Sequence, residues 1–351
     1  MGERLVVEWI VYIGGVRYTN LIHDGDELPM LVEIEHRDNE ASRLTLTVFD
    51  APGDVPFPNY NNTPDPYLNP NVQVQAYARW DDEGWVKIFS GLLVAKKCKY
   101  PARSETVFVA LHKAFRLRKR GKVDTLQNIS HEEMLKLKAA EEECRLTAHP
   151  SAASDPYLTE QAEVILQLGE PPWDLMDRTI REGGYISNTI RENEIVVRVD
   201  KSDGDLVKLA LGDDNLVSFD IRSEQKRDSN SPRRKGFSHG HKAGRHQKNE
   251  EGSDPSKGRN VRPVNAALAK RKRGENREFF ARTSVKGIAR QMARKGAEIT
   301  LEFRFHPHMR NEERIELSKC GPQISGIWET VGVTHRLGNT LARTQAACIR
   351  K

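Results

Sequence analysis

One complete helix signal, at residues 167–188, lies in a chain whose other patterned segments mostly alternate with the two-residue period of strands. Pro171 and Pro172 suit a first helical turn, where their missing N–H groups would be unbonded in any case, and Gly183 and Gly184 supply a C-terminal stop. Between them Trp173, Met176 and Ile180 share one face, while Asp174, Asp177 and Arg181 point elsewhere. Tyr185 and Ile186 then open an extended run. Glu192 and Asn193 form a turn signal, and residues 195–199 are β-prone. A helix with its own hairpin between β-rich stretches defines a small mixed unit.

Residues 4–117 read as an all-β block. Residues 5–13 form a strand ending at the Gly14-Gly15 turn, and residues 43–50 and 72–79 alternate with period two. A turn at residues 81–84 leads into residues 86–94, and residues 106–111 close the block. The Pro- and Asn-rich stretch 52–70 reads as a projecting loop. In the mixed unit, residues 123–200, Ser130 and Glu133 form a capping box opening a helix to Glu143. Residues 146–149 read as a strand and residues 158–166 as a further helix. Strand character returns at 206–211 and 216–221. After a long polar stretch, Ser284 caps an expected helix over 285–294. Strands follow at 298–305, 314–317, 326–335 and 340–349, with Ile299, Leu301, Phe303 and Phe305 on one face. The expected fold is α+β and mainly β, divided as residues 1–122, 123–200 and 201–351.

Of the 351 residues, 37% are hydrophobic and 30% charged, enough for two or three cores. The longest apolar stretch, residues 5–16, is broken by Glu8, far short of the about 20 residues that span a bilayer, so no membrane insertion is expected. The N-terminus lacks signal-peptide grammar, and cytosolic synthesis is the expectation. Cys98, Cys144, Cys320 and Cys348 are scattered without a C-x-x-C pair, so free thiols are expected. Charge is uneven: residues 225–276 hold fifteen Lys and Arg against five Asp and Glu, while the whole chain is +5, leaving the remainder net acidic. That segment is too polar to build a core alone.

Candidate chemistry is sparse. His239, His241 and His246 have ligand-like spacing but lie in the polar segment, where a solvated loop is the expectation. His306 and His308 follow a strand; on a three-fold axis three copies could meet a metal, but a solvent-facing pair is expected, and no metal or other cofactor is assigned. His335, in an apolar strand, reads as a hydrogen-bonded core residue. Asp174 with Asp177, and Glu141 with Glu142, are surface charges rather than a facing glycosidase pair. No nucleophile elbow, H-E-x-x-H or phosphate-binding glycine motif occurs, so no enzyme is expected.

Four places resemble the late control protein D family, the baseplate hubs of contractile phage tails, related to type VI secretion spikes and contractile injection system hubs. They are residues 68–74 leading to Phe89 and Gly91, the capped helix from Ser130 with Leu146, the Trp173, Met176, Ile180 and Tyr185 module, and the closing run with Trp328, His335 and Gly338. The resemblance implies two tail-tube-like β barrels flanking the module. It implies a homotrimer whose six barrels join a hexameric tail tube to a trimeric central spike within baseplate wedge proteins. Such a ring forms part of a conduit for DNA and a tape-measure protein. It places the protein in the virion tail after synthesis in the bacterial host cytoplasm, with no catalytic residues. Pro171-Pro172 departs from the usual Ser or Asp helix entry, and the basic insertion is unusually long. Arg233, Arg234, Lys235, Lys270, Arg271, Lys272 and Arg273 in it are candidate contacts to acidic neighbours. The other readings of the insertion are a surface loop and a nucleic-acid-binding arm.

Overall fold

The computed structural model describes residues 7–20, 30–49, 71–80, 84–99, 105–118, 120–189, 193–212, 216–222, 297–339 and 342–350. The expected loop at 52–70, the helix at 285–294 and the whole of 225–276 lie outside them.

The first block holds β1 (Val7–Ile13), β2 (Val16–Thr19), β3 (Met30–Arg37), β4 (Arg43–Phe49), β5 (Gln73–Trp80), β6 (Val86–Lys99) and β7 (Glu105–Leu111). They pair antiparallel in the order β3-β4-β7-β6-β5-β1-β2. Gly14 and Gly15, both at positive φ, make the two-residue turn between β1 and β2. Alternate residues such as Leu44, Leu46, Val48, Val74, Ala76, Phe108 and Ala110 enter one core, as the period of a strand requires. Gly91 permits close contact of β6 and β7: a Cβ there would lie 2.4 Å from the Leu111 carbonyl oxygen.

The second block contains β13 (Leu206–Ala210), β14 (Leu216–Arg222), β15 (Glu298–Arg304), β16 (Arg314–Ser318), β17 (Gly326–Gly338) and β18 (Ala342–Ile349). Its order is β14-β15-β18-β17-β16-β13, which repeats the first block's β3-β4-β7-β6-β5-β1. The repeat extends to register. β4 and β15 share one alternation of buried and half-buried positions. The long strand of each block carries one extra residue against its hairpin partner, Val94 on β6 and Val331 on β17. The blocks differ at the last position, where β1 runs antiparallel to β5 but β13 runs parallel to β16.

The fold is α+β and mainly β, as expected, and the two blocks expected as barrels are joined to each other. Antiparallel pairing of β3 with β17 fuses both blocks into one 13-stranded sheet, and among the described strands no ladder closes either half. Each half wraps its own apolar core. Phe305 and Leu337 of the second block enter the first block's core, and Trp9 Nε1 donates to the Gly338 carbonyl at 3.1 Å. Fusion satisfies the backbone groups that two separate edges would leave to solvent.

Between the blocks lie β8 (Val123–Ser130), α1 (His131–Ala140), β9 (Arg145–Ala148), α2 (Pro150–Ala153), α3 (Pro156–Thr159), β10 (Gln161–Leu168), α4 (Pro172–Gly183), β11 (Ile186–Thr189) and β12 (Glu194–Arg198). The Ser130–Glu133 capping box is present. The helix expected over 158–166 is instead the short α3, capped by Asp155, followed by β10. Its partner β8, which the sequence reading did not anticipate, supplies the hydrogen bonds that hold residues 161–168 extended. Helix α4 starts at the two prolines and ends on Gly184 at φ 71°. A Cβ at Gly183 would lie 2.0 Å from the Tyr185 ring. Trp173, 5% exposed, packs with Met176, Ile180, Tyr185, Met134, Leu146 and Ile195 in a third core. Trp173→Ala is expected to cost about 3–5 kcal/mol in chemical denaturation, and a loss below about 1 kcal/mol would show that the indole is not a core anchor.

Candidate assembly site and the junction that orients it

A polar junction fixes how the three units meet. The turn after β3 places Asp38 and Asn39, and the end of β11 and the linker after β12 bring Ser187, Thr189 and Lys201. The loop before β16 brings Asn311, and β17 itself brings Thr330. Lys201, 1% exposed, directs its ammonium at both Asp38 carboxylate oxygens, 2.8 and 2.9 Å away. It also donates to the carbonyls of Asn311 and Thr330. Asn311 Nδ2 donates to Asp38 Oδ1 at 2.9 Å. Burial lowers the Lys201 pKa, and the Asp38 carboxylate opposes that shift.

Beside it, Asn39 N–H donates to the Ser187 carbonyl at 2.8 Å and Ser187 N–H to Asn39 Oδ1 at 2.9 Å. Ser42 N–H donates to Thr189 Oγ1 at 2.9 Å, and Ser42 Oγ lies 2.8 Å from His36 Nδ1. Arg198 pairs with Glu312 at 3.0 Å. One ammonium and a few turn residues thus tie the first block, the module and the second block together.

His335 is wholly buried, between Thr344 Oγ1 at 3.1 Å and the Met309 carbonyl at 3.0 Å. Burial, reinforced by the Arg310 charge, pushes its pKa down to about 3, so the ring is neutral at neutral pH. Glu313 accepts the Arg310 N–H at 3.1 Å, yet burial pushes its carboxyl up to about 7. Glu313 lines an open groove of about 540 Å³ with Trp80, Lys208, Arg304, His306 and His308. The two histidine rings are 6.2 Å apart, and no cluster of three or more His, Cys, Asp or Glu able to hold a metal occurs among the described residues. No described helix is long and apolar enough to cross a membrane.

The residues singled out from sequence do not converge on one surface. Trp173, Met176, Ile180 and Tyr185 share the module core, Phe89 the first block's core and Trp328 the second's. The candidate contacts from Arg233 to Arg273 and the histidines at 239, 241 and 246 lie outside the described residues. Asp38, Lys201 and Asn311 were not anticipated. An Asp-Asn turn after a strand marks the first, but nothing local marks Lys201 as buried.

Two like sheet halves fused around a shared junction, with an α+β module between them, make up the fold. The chain superposes with a TM-score of 0.64 on a 43 kDa tail protein of prophage MuSo2 from Shewanella oneidensis, at 12% identity over 98% of both chains. For a tail protein from Neisseria meningitidis MC58 the TM-score is 0.60 at 12% identity, over 98% of this chain and 96% of that one. An E. coli component of the type VI secretion system, described as structurally similar to T4 bacteriophage tail proteins, gives 0.59 at 10% identity over 97% and 76%. No family model and no curated sequence matches the chain. Its fold is thus shared by phage tail and type VI secretion proteins.

Two measurements test the junction and the groove. Asp38→Ala strands the Lys201 ammonium and is expected to cost about 3–5 kcal/mol, with Lys201→Met in the same chain recovering part of the loss. A double-mutant cycle showing plain additivity would contradict the coupling. Because the folded state raises the Glu313 pKa from 4.5 to about 7, its contribution favours folding below pH 4.5 and is lost as pH rises toward 7. Glu313→Gln is therefore expected to gain on the wild type across that window, reaching about 3 kcal/mol at pH 8. Urea midpoints at pH 5 and pH 8 read the difference.

Proposed function

We propose that this protein is a structural hub of a phage tail baseplate or a related contractile injection machine. In this reading a homotrimer joins a hexameric tail tube to a trimeric central spike and forms part of the conduit for DNA and the tape-measure protein. The observation carrying it is the internal repeat: one chain supplies two sheet halves of the same strand order. Three chains then present six such halves, the number that matches a six-fold tube to a three-fold spike. The superposition on tail proteins over nearly their whole length supports the same role. The role is architectural, with no catalytic step, and agrees with the late control protein D resemblance.

The basic segment 225–276 is proposed to contact acidic surfaces of neighbouring baseplate proteins on the outside or lower rim of the ring, where it does not brake a polyanion in the channel. Light scattering of the purified chain is expected to give three times its 39.9 kDa mass. A monomer whose affinity for duplex DNA falls steeply with salt would replace the hub reading with a nucleic-acid-binding one. Deleting residues 225–276 is expected to leave the trimer folded and to lower particle yield in a salt-sensitive way; unchanged yield at all salt concentrations would refute the proposed contacts.

A further inference from the structure

The repeat that gives the two blocks one strand order breaks at a single strand. In the first block β1 is covered on both sides: β5 pairs with it on one, and the four-residue β2 on the other, with Ile10 opposite Thr19 and Ile13 opposite Val16. In the second block β13 takes the place of β1 and pairs with β16. Among the described residues no strand takes the place of β2, so β13 ends in a free edge. Exposure follows the difference. Val11 and Ile13 of β1 are at most 1% exposed, whereas Leu206 of β13 is 37% exposed and Leu211, just past its end, 48%.

The ladder fixes which backbone groups that edge presents. Arg314 N–H donates to the Asp205 carbonyl at 2.8 Å, and Leu211 N–H donates to the Ser318 carbonyl at 3.1 Å. Backbone groups of successive strand residues point to opposite sides, so residues 205, 207, 209 and 211 face β16. Leu206, Lys208 and Ala210 therefore turn N–H and C=O to the open side, a template for strand addition. The groove of about 540 Å³ borders this strand: residues 205–209 line it, together with Arg304, His306 and His308 at and beyond the end of β15. Its chemistry is selective. Lys208 stands exposed in the middle of β13, Arg304 adds a second cation, and the two histidines add ring nitrogens that can donate. Of the two carboxyl groups in the lining, Asp205 lies before the strand, and burial pushes Glu313 up to about 7.

We propose that this groove takes an extended acidic segment of a partner protein, which adds to β13 as the strand the second block lacks. Its backbone bonds to Leu206, Lys208 and Ala210, and its acidic side chains, at every second position, meet Lys208 and Arg304. The segment is short, because the internal precedent, β2 on β1, is four residues long. A second copy of this chain does not supply it from the other described end strands: β2 reads Val-Arg-Tyr-Thr, and β14 carries one Asp beside one Arg. Neither has acidic residues at period two. The inference rests on the edge and groove of a single chain, and holds whether or not three copies assemble.

Two labelled peptides of about six residues test the proposal, one alternating glutamate with threonine and one alternating lysine with threonine. Each is titrated with the full chain at pH 6, where the Glu313 carboxyl is mostly protonated, and binding is read by fluorescence anisotropy. The glutamate peptide is expected to bind at least about tenfold more tightly than the lysine peptide, with an affinity that falls as salt rises. Lys208→Glu, a change at an exposed position, is expected to reverse that preference. Amide exchange reads the backbone. In the free chain the amides of Leu206, Lys208 and Ala210 are expected to exchange fast and those of Val207 and Leu209 slowly, and the glutamate peptide is expected to protect the first three. Equal affinity for both peptides, or binding of neither, overturns the acidic partner, and binding without that protection overturns strand addition. Protection of the three amides in the free chain overturns the proposal as well, because the edge is then already covered by this chain or a second copy. None of these outcomes changes the mass measured in solution, so the hub reading is tested separately.

Discussion

The Lys201 ammonium between Asp38, Asn311 and Thr330 is the interaction on which the arrangement of the chain depends. Its partners come from the first block and the second, and Lys201 itself sits where the module hands the chain on. A buried charge is a weak source of net stability, because desolvation opposes the Coulombic gain. Its value here is geometric. An ammonium removed from water has few acceptable positions, and this one is acceptable only when Asp38 and both carbonyls converge. The β3–β17 ladder runs directly away from that point, with Asp38 N–H donating to the Val331 carbonyl at 3.1 Å. The junction therefore sets the register in which the two sheet halves fuse.

The fused sheet explains why the halves share cores as well as hydrogen bonds. Phe305 and Leu337 fill space in the first core that a separate barrel would fill from its own strands. His335 stands at the same seam, its ring 5.4 Å from Phe305 and 6.1 Å from His36. Desolvation lowers the pKa of both histidines. Protonating either would place a cation in the seam near Arg310, so both favour the folded state above the ordinary histidine range and oppose it as pH falls below. Glu313 has the opposite dependence, and the two effects partly cancel between pH 4.5 and 6.5.

The β3–β17 contact is made within one polypeptide, where its partners are held together covalently, whereas β14, at the end of the described sheet, carries the exposed apolar residues Val217 and Ile221. The module joins the two halves without occupying either outer edge, because its strands form two small sheets of their own.

Much of the local structure was legible in the sequence. Alternation located β4, β5, β15 and β18, the Gly14-Gly15 pair gave the first hairpin, and Ser130 with Glu133 started α1, because each signal is written within a few residues. The tail-protein likeness was also carried by the order of such segments. What the sequence did not carry was pairing. Residues 161–168 hold apolar residues that fit a helix or a strand, and only β8, more than thirty residues earlier, decides for the strand. Nothing near Lys201 distinguishes it from a surface lysine, since its partners lie 163, 110 and 129 positions away. The fusion of two expected barrels into one sheet was likewise a tertiary outcome: β3 and β17 are each ordinary strands, and their partnership depends on a junction assembled from three separate parts of the chain.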